Sequence, residues 1–195
     1  MKKTIAVFLF LLAGICLHAP YTLDAQTLTW DIKFTKRGTS ESLQIGRTIQ
    51  MKTGEEFSIS ITPASDCFGY IVSYDSNREV FVLLNEQLMS GNEKYLGSFE
   101  ITDPPGTETL FVIISNKKQQ KLEDLIKNFN DNPGSIRNSD NLREELAKLQ
   151  EEVSGLGQPG IDFVPGGGTS RGSLQEYVTR FSNKETYVRP IRIQH

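Results

Sequence analysis

The chain has 195 residues, and its formal net charge at pH 7 is −3, from 21 lysine and arginine residues against 24 aspartate and glutamate residues. This length suits one domain with a complete core and a small appendage. The mildly acidic balance gives no basic surface, which argues against nucleic acid as the main ligand.

Residues 1–25 predict a secretory signal peptide. Lys2 and Lys3 precede an apolar run over residues 5–17, and a short polar stretch leads to Ala25. The run of roughly thirteen residues is shorter than the roughly twenty that a helix needs to cross a bilayer, which favours a cleaved leader. We therefore predict cleavage after Ala25 and an exported protein, in the periplasm or cell envelope of a bacterium or outside the cell.

A lipid anchor is the alternative interpretation of the same segment. Residues 12–16, Leu-Ala-Gly-Ile-Cys, loosely resemble a lipobox, which would make Cys16 the lipidated first residue. Ile15 is bulky where that motif has a small residue, so cleavage after Ala25 is favoured. Attachment to a membrane is expected only if Cys16 is lipidated.

Residues 26–118 predict an antiparallel β domain, because apolar and polar side chains alternate with a period of two. Strands with one apolar face are predicted over residues 28–34, 43–51 and 57–61, strands apolar on both faces over 67–74 and 109–115, a hairpin partner over 80–84 and a weaker strand over 96–101. Strands that are apolar on both faces are expected at the centre of a sheet. The predicted fold is mostly β (α+β): an antiparallel β-sandwich or barrel-like sheet with a two-helix insertion before the last strand.

Residues 119–154 predict that two-helix insertion. Apolar residues fall on one stripe of the first helix, at Leu122, Leu125, Ile126 and Phe129, and residues 132–134 (Asn-Pro-Gly) end it. The stripe of the second helix consists of Leu142, Leu146, Leu149 and Val153, with Asn141 as its cap, Glu144 and Lys148 as an ion pair, and Gly155 as its stop. Both stripes are expected to pack on the sheet or on each other. In the alternative, Leu142, Leu146 and Leu149 bind a partner.

Residues 155–173 are rich in glycine and predict a long loop. Segments of this kind in a compact domain are usually functional or disordered, so Gly166, Gly167 and Gly168 are further candidates for partner binding. Strand character returns over 174–195, at residues 177–181 and 187–193. This C-terminal segment is expected to return to the sheet.

A resemblance to one family rests on residues 53–57 (Thr-Gly-Glu-Glu-Phe), 66–71, 80–85 and 105–115. Their order and spacing over about residues 45–115 resemble the domain-of-unknown-function family numbered four-three-eight-four. Leu84 stands before Asn85 where members of that family have proline. The resemblance implies an accessory or sensing module, because the family occurs alone after signal peptides and attached to caspase-like peptidases and protein kinases. It implies no catalytic residues.

Candidate catalytic groups are few. After removal of the leader, Cys67 is the only thiol, and the only histidine is the terminal His195, where chain ends tend to be mobile. Cys67 lies in a predicted buried strand, where it is expected to act as a small hydrophobe. Ordinary zinc sites need three or four histidine, cysteine or carboxylate ligands. We predict no catalytic residue, no cofactor and no metal.

Two functional hypotheses of different class follow. The first is a non-enzymatic exported module that binds another envelope protein or a surface polymer, through the second helix and the glycine-rich loop. The second is a hydrolase with an unrecognised site, centred on Cys67 or on carboxylates such as Asp66, Asp103 and Glu108.

Overall fold

The computed structural model describes residues 27–39, 42–45, 47–75, 77, 79–154, 160–165, 177–183 and 185–195, with the backbone alone at 154, 160–165 and 177–183. The predicted leader with Cys16, the helix stop at Gly155 and the glycines 166–168 lie outside the described residues. None of the helices in this described part is long and apolar enough to cross a membrane.

Strands dominate the described chain, and two helices interrupt them. The elements are β1 (Leu28–Lys36), β2 (Ile49–Gln50), β3 (Glu56–Pro63), β4 (Cys67–Tyr74), β5 (Val80–Leu88), β6 (Lys94–Glu100), β7 (Thr107–Ser115), α1 (Gln120–Asp131), α2 (Ile136–Ser154), β8 (Gly160–Pro165), β9 (Tyr177–Asn183) and β10 (Thr186–Gln194). Sheet 1 has the strand order β6-β3-β1-β9-β8, and sheet 2 has the order β2-β10-β7-β4-β5. Paired strands are antiparallel except for β10 with the short β2.

The two sheets stack face to face around the main core. Sheet 1 contributes Trp30, Ile32, Phe34, Phe57, Ile59 and Ile61, and sheet 2 contributes Ile71, Leu84, Leu110, Val112, Ile114, Tyr187 and Ile191. The Trp30 ring meets Tyr187 of the opposite sheet edge-on, with 4.7 Å between the ring centroids. The predicted mostly β fold with two helices before the last strand is confirmed, and the barrel-like alternative is wrong because the sheets do not close.

The two helices form a third layer on the outer face of sheet 2. A second core lies between the helices and this face of the sheet. It consists of Tyr70, Val72, Val80, Phe111, Ile113 and Val188 from the sheet and Leu122, Ile126, Phe129, Leu142, Leu146 and Leu149 from the helices. Strands β4 and β7 are therefore covered on both faces, as their continuous apolar sequences indicate.

Hydrogen bonds fix where α1 begins on the sheet. The Tyr70 hydroxyl accepts from the backbone N–H of Gln119 at 3.0 Å and donates to Glu123 Oε1 at 3.0 Å. The Gln119 side chain donates to Ser115 Oγ at 2.9 Å. These bonds tie the start of α1 to strands β4 and β7, so the helical layer has one position on sheet 2.

Two predicted boundaries are wrong. The strand expected over residues 43–51 is reduced to Ile49–Gln50, although Ile45 and Met51 are buried as predicted. This segment crosses from sheet 1, where Ser42 bridges Thr35, to sheet 2, where β2 pairs with β10. Within the described residues of this segment, Ile45, Ile49 and Met51 are buried, although the strand is limited to Ile49–Gln50.

Helix α2 begins at Ile136, five residues before the predicted cap Asn141. The cap is Ser135, whose Oγ accepts from the N–H of Asn138 at 3.3 Å. The predicted pair of Glu144 with Lys148 is replaced by Lys148 with Glu152 at 3.7 Å. The early start lets α2 turn back directly after α1.

The C-terminal segment contains more structure than the sequence indicated. Strand β8 lies inside the predicted loop 155–173, and β9 and β10 lie where strand character is predicted, at residues 177–181 and 187–193. Strand β9 pairs with β1 in sheet 1, and β10 pairs with β7 in sheet 2. The chain therefore returns to both sheets after the helices.

Gly69 in β4 makes room for the main core. A Cβ at this position would lie 2.7 Å from Leu88 Cδ1 and 3.0 Å from Leu84 Cδ2, and both leucines are buried. We expect Gly69→Ala to lower the free energy of unfolding by about 1–3 kcal/mol, because the leucines must leave their packed rotamers. Urea unfolding checks this. Gly134→Ala is the control, because nothing lies within 4 Å of a Cβ there, and equal losses in both variants would contradict the packing argument.

Candidate functional site

Cys67 is buried at the start of β4 in the main core. Burial raises the pKa of its thiol to about 11, and the neighbouring Asp66 carboxylate adds to this rise. A thiol with a raised pKa holds its proton at neutral pH and is a poor nucleophile. The position therefore fits the predicted role as a small core hydrophobe.

The strand register separates Cys67 from His195. Phe68, next to Cys67, pairs with Ser115 at one end of β7, whereas Gln194, next to His195, pairs with Thr107 at the other end. At about 3.3 Å per residue the two ends of β7 are roughly 26 Å apart. The imidazole of His195 therefore cannot activate this thiol, so the structure does not assemble the predicted Cys–His pair.

His195 itself is fixed rather than mobile, which corrects the expectation for the chain end. Its N–H donates to the carbonyl of Gly106 at 3.0 Å, and the N–H of Gly106 donates back at 3.0 Å. Its side chain is only 1% exposed, with Nε2 3.7 Å from Glu108 Oε1. The terminal residue extends the pairing of β10 with β7 by one step.

The three candidate carboxylates have different surroundings. Asp66 Oδ1 accepts from the N–H of Ser90 at 2.8 Å, which fixes the turn after β5. Asp103 Oδ1 accepts from the Thr53 hydroxyl at 3.3 Å. Glu108 lies at the other end of the sandwich from Asp66, since Cys67 and Thr107 lie near opposite ends of β7. The structure therefore brings Asp103 and Glu108 to one cleft and leaves Asp66 apart.

That cleft, here called the acidic cleft, opens between the two sheets and has a volume of about 460 Å³. Its apolar lining comes from both sheets: Phe57, Phe99, Leu83 and Leu110. Its described lining includes the five acidic residues Asp75, Glu79, Glu100, Asp103 and Glu108 and neither lysine nor arginine. Within the described residues, no group of three or more histidine, cysteine or acidic side chains is placed to hold a metal ion.

Glu108 is half-buried, whereas Glu79, Glu100 and Asp103 of the acidic cleft are exposed. Burial raises the pKa of the Glu108 carboxyl; the nearby His195 opposes the rise, and Asp75 adds to it. In the pH window between the ordinary value of 4.5 and this raised pKa, the folded state holds more protons than the unfolded state. Ionisation of Glu108 therefore costs folding free energy as the pH rises through that window.

We expect Glu108→Gln to remove this part of the pH dependence. The wild-type chain should lose more stability than the variant as the pH rises through the window, because only the wild type acquires a half-buried charge. Urea unfolding of both proteins at intervals from about pH 4 to about pH 7 measures the difference. Parallel stability curves for the two proteins would contradict the assignment.

A second concave surface lies on the opposite side of β5. This helix-side groove has a volume of about 1000 Å³ and is lined by Val80, Val82, Phe129, Ile136 and Arg143, among others. Ile136 is 79% exposed and Phe81 is 46% exposed. Phe81 and Leu83 line both the helix-side groove and the acidic cleft. The first half of β5 therefore forms the ridge between the two concave surfaces.

β5 is also an edge strand. It is the last strand of sheet 2, and in the described part of the chain β4 is the strand it pairs with. An edge strand presents backbone N–H and C=O groups that can pair with a further strand. The open edge, Phe81 and the two concave surfaces together form the candidate binding site.

No protein-family model, no curated protein and no solved structure matches the chain significantly. The family resemblance drawn from residues 45–115 thus stays a prediction.

The predicted partner-binding leucines are not at this site. Leu142, Leu146 and Leu149 are buried in the second core between α2 and sheet 2. Their stripe is used for packing, so it offers no surface to a partner. The glycines 166–168 lie outside the described residues, and their part in binding stays a prediction.

Proposed function

We propose that the chain is an exported, non-enzymatic interaction module of the bacterial envelope or periplasm, which binds another envelope protein at the first half of β5. The observation that carries the proposal is the open edge of β5, with exposed Phe81 at its centre and a concave surface on each side. The buried Cys67 and its distance from His195 support a role without catalysis.

The two halves of β5 differ in how their edge is protected. Proteins commonly keep edge strands from pairing with other chains by placing charged or polar residues on them. The second half has exposed Asn85, Glu86 and Gln87, and Glu86 pairs with Lys94 of β6 at 2.7 Å. The first half, residues 80–84, is apolar throughout. The register of β5 with β4 shifts at Leu83, so the regular apolar stretch at residues 80–82 is favoured as the place where a partner strand adds.

Export is proposed from the predicted leader. The mass of the mature protein tests it, because cleavage after Ala25 gives Gln26 as the first residue, whereas a lipid anchor leaves a diacylated Cys16. Both results support export, and they separate a free from an anchored module. A full-length chain recovered from the cytosol would contradict it.

Site-specific photo-crosslinking tests the binding surface. We expect a crosslinker that replaces Ile136, at the rim of the helix-side groove, to capture an envelope protein in intact cells. A crosslinker that replaces Tyr95, which is 59% exposed on β6 and lies outside both concave surfaces, should not. The captured protein, once purified, should bind the chain directly and lose affinity for Phe81→Glu.

Equal capture by a crosslinker at Tyr95, or unchanged binding by Phe81→Glu, would contradict the proposed binding site. Catalytic turnover of any envelope substrate that is lost in Cys67→Ala would overturn the non-enzymatic part of the proposal. Since Cys67→Ala deletes only a small buried thiol, the folded state of that variant is checked by circular dichroism in the same experiment.

A further inference from the structure

We infer that the partner offers β5 an extended segment in which apolar side chains alternate with lysine or arginine. This inference rests on the proposed function, because it specifies the chemistry of the ligand at the same edge. Three observations on this edge carry it: the strand position of β5, the apolar helix-side groove and the charge of the acidic cleft.

The position of β5 determines where the side chains of an added strand would go. A segment that pairs with β5 continues sheet 2 by one strand, and successive side chains of a strand point to opposite faces of the sheet. One face of sheet 2 carries the helices, and the other faces sheet 1. Alternate side chains of the added strand would therefore enter the helix-side groove and the acidic cleft in turn.

The helix-side groove selects apolar side chains. Val80, Val82 and Phe129 line it on the side of the second core, and the 79% exposed Ile136 lies at its rim. Its charged lining residues are partly paired, since Arg143 lies 3.2 Å from Asp140. Binding of branched apolar side chains here would remove the exposed Ile136 and Phe81 from water, which favours association.

The acidic cleft selects basic side chains. The aromatic rings of Phe57 and Phe99, with centroids 5.5 Å apart, line the same cleft as the carboxylates of Glu100, Asp103 and Glu108. Lysine and arginine have an apolar stem and a charged end, so they can place the stem against aromatic rings and the charge among carboxylates. Five acidic residues line the cleft, which suits more than one cationic side chain.

Charge argues against a second copy of the chain as the occupant. Two copies joined through β5 would bring two acidic clefts close to each other, and like charges at an interface oppose association. The first half of β5 also contains no basic residue to enter the cleft of its partner. Residues 80–84, the apolar first half of β5, span roughly 13 Å, so a segment of seven residues would cover them with one residue to spare at each end.

Synthetic peptides test directly whether the ligand alternates apolar with basic side chains. The probe is a seven-residue peptide of alternating valine and lysine, capped at both ends, with binding to the mature chain measured by fluorescence anisotropy. We expect it to bind at least about ten-fold more tightly than a peptide of alternating valine and glutamate, and more weakly as salt is added. A peptide of the same composition with its lysines consecutive should also bind at least about ten-fold more weakly, because it loses the alternation.

Variants assign the binding to the two concave surfaces. Phe81→Ala removes an apolar contact without changing the charge and should weaken binding of the valine–lysine peptide by about ten-fold or more. Asp103→Asn should weaken it by about two- to five-fold, as for a partly exposed ion pair. Tyr95→Ala removes an exposed aromatic side chain outside both surfaces and should leave the affinity unchanged. Circular dichroism shows whether each variant is folded.

The results separate this inference from the proposed function. Equal affinity for the valine–lysine and valine–glutamate peptides, or a folded Phe81→Ala that binds normally, would overturn the inference. If the peptide fails to bind while the crosslinker at Ile136 still captures an envelope protein, the ligand chemistry is wrong and the proposed function remains. A dimer of the chain that Phe81→Ala dissociates would show that a second copy occupies the edge and would also overturn the inference.

Discussion

Leu142→Asp is expected to lower the free energy of unfolding by about 4 kcal/mol or more. Leu142 is fully buried between α2 and the outer face of sheet 2. The substitution removes the burial of a leucine side chain and places a carboxylate in an apolar core without a partner. If the α2 stripe instead bound a partner at the surface, the same change would leave the stability of the chain almost unaffected.

Urea unfolding followed by circular dichroism measures this loss. Ala147→Asp is the matched control, because it adds the same carboxylate to an exposed position of the same helix. It should cost less than about 1 kcal/mol, which is the difference in helix propensity between alanine and aspartate. Similar stabilities for Leu142→Asp and Ala147→Asp would contradict the second core.

Trp30→Ala is expected to lower the free energy of unfolding by about 3–5 kcal/mol. Trp30 is 1% exposed and belongs to the largest side chains of the main core. Its ring bridges the two sheets, since it lies on β1 of sheet 1 and packs against Tyr187 of sheet 2. Its removal leaves a cavity that the flanking strands cannot fill without moving the sheets.

Tyr95→Ala is the control for Trp30→Ala, because Tyr95 is an exposed aromatic residue on a strand of the same sheet. Its cost should stay within about 0.5 kcal/mol, as for most surface substitutions. Midpoints of urea unfolding give both values, provided the slopes with denaturant agree. A loss for Trp30→Ala that is no larger than for Tyr95→Ala would mean that the sheets are not held together by this core.

Much of the architecture could be predicted from local periodicity. The strands β1, β3, β4 and β7 follow from alternating or continuous apolar residues, because burial on one or two faces leaves a direct pattern in the sequence. The apolar stripes of α1 and α2 likewise predicted the packing on the sheet. These features depend on which side of an element is buried, and the pattern of residues gives that directly.

Other features depend on the arrangement of distant segments. The second helix was predicted to begin at Asn141 because a glutamate follows it at the spacing of a capping box, whereas Ser135 caps it without such a glutamate. Strand β8 lies within a glycine-rich segment whose composition does not favour a strand, and its pairing with β9 stabilises the extended conformation. In both cases, contacts between distant segments outweigh the local preference of the sequence.

The candidate site could not be predicted in the same way. Its five acidic residues come from the turn before β5, from the end of β6, from the loop after β6 and from the start of β7, and the stacking of the sheets brings them to one cleft. Residues 80–84 were recognised as a hairpin partner, but the position of β5 at the edge depends on the order of all strands in sheet 2. The continuous apolar run with Phe81 was the one available signal, and buried strands give the same pattern.

Amide hydrogen exchange tests the central claim, that ligands add to the edge of β5, most directly. Exchange is measured on the mature chain alone and with the valine–lysine peptide at saturation. We expect slower exchange for alternate amides in residues 80–83, those whose N–H groups point away from β4, because an added strand accepts hydrogen bonds from them, and no change in β6. A complex that forms while residues 80–83 exchange as before, with protection at another surface instead, would contradict the account.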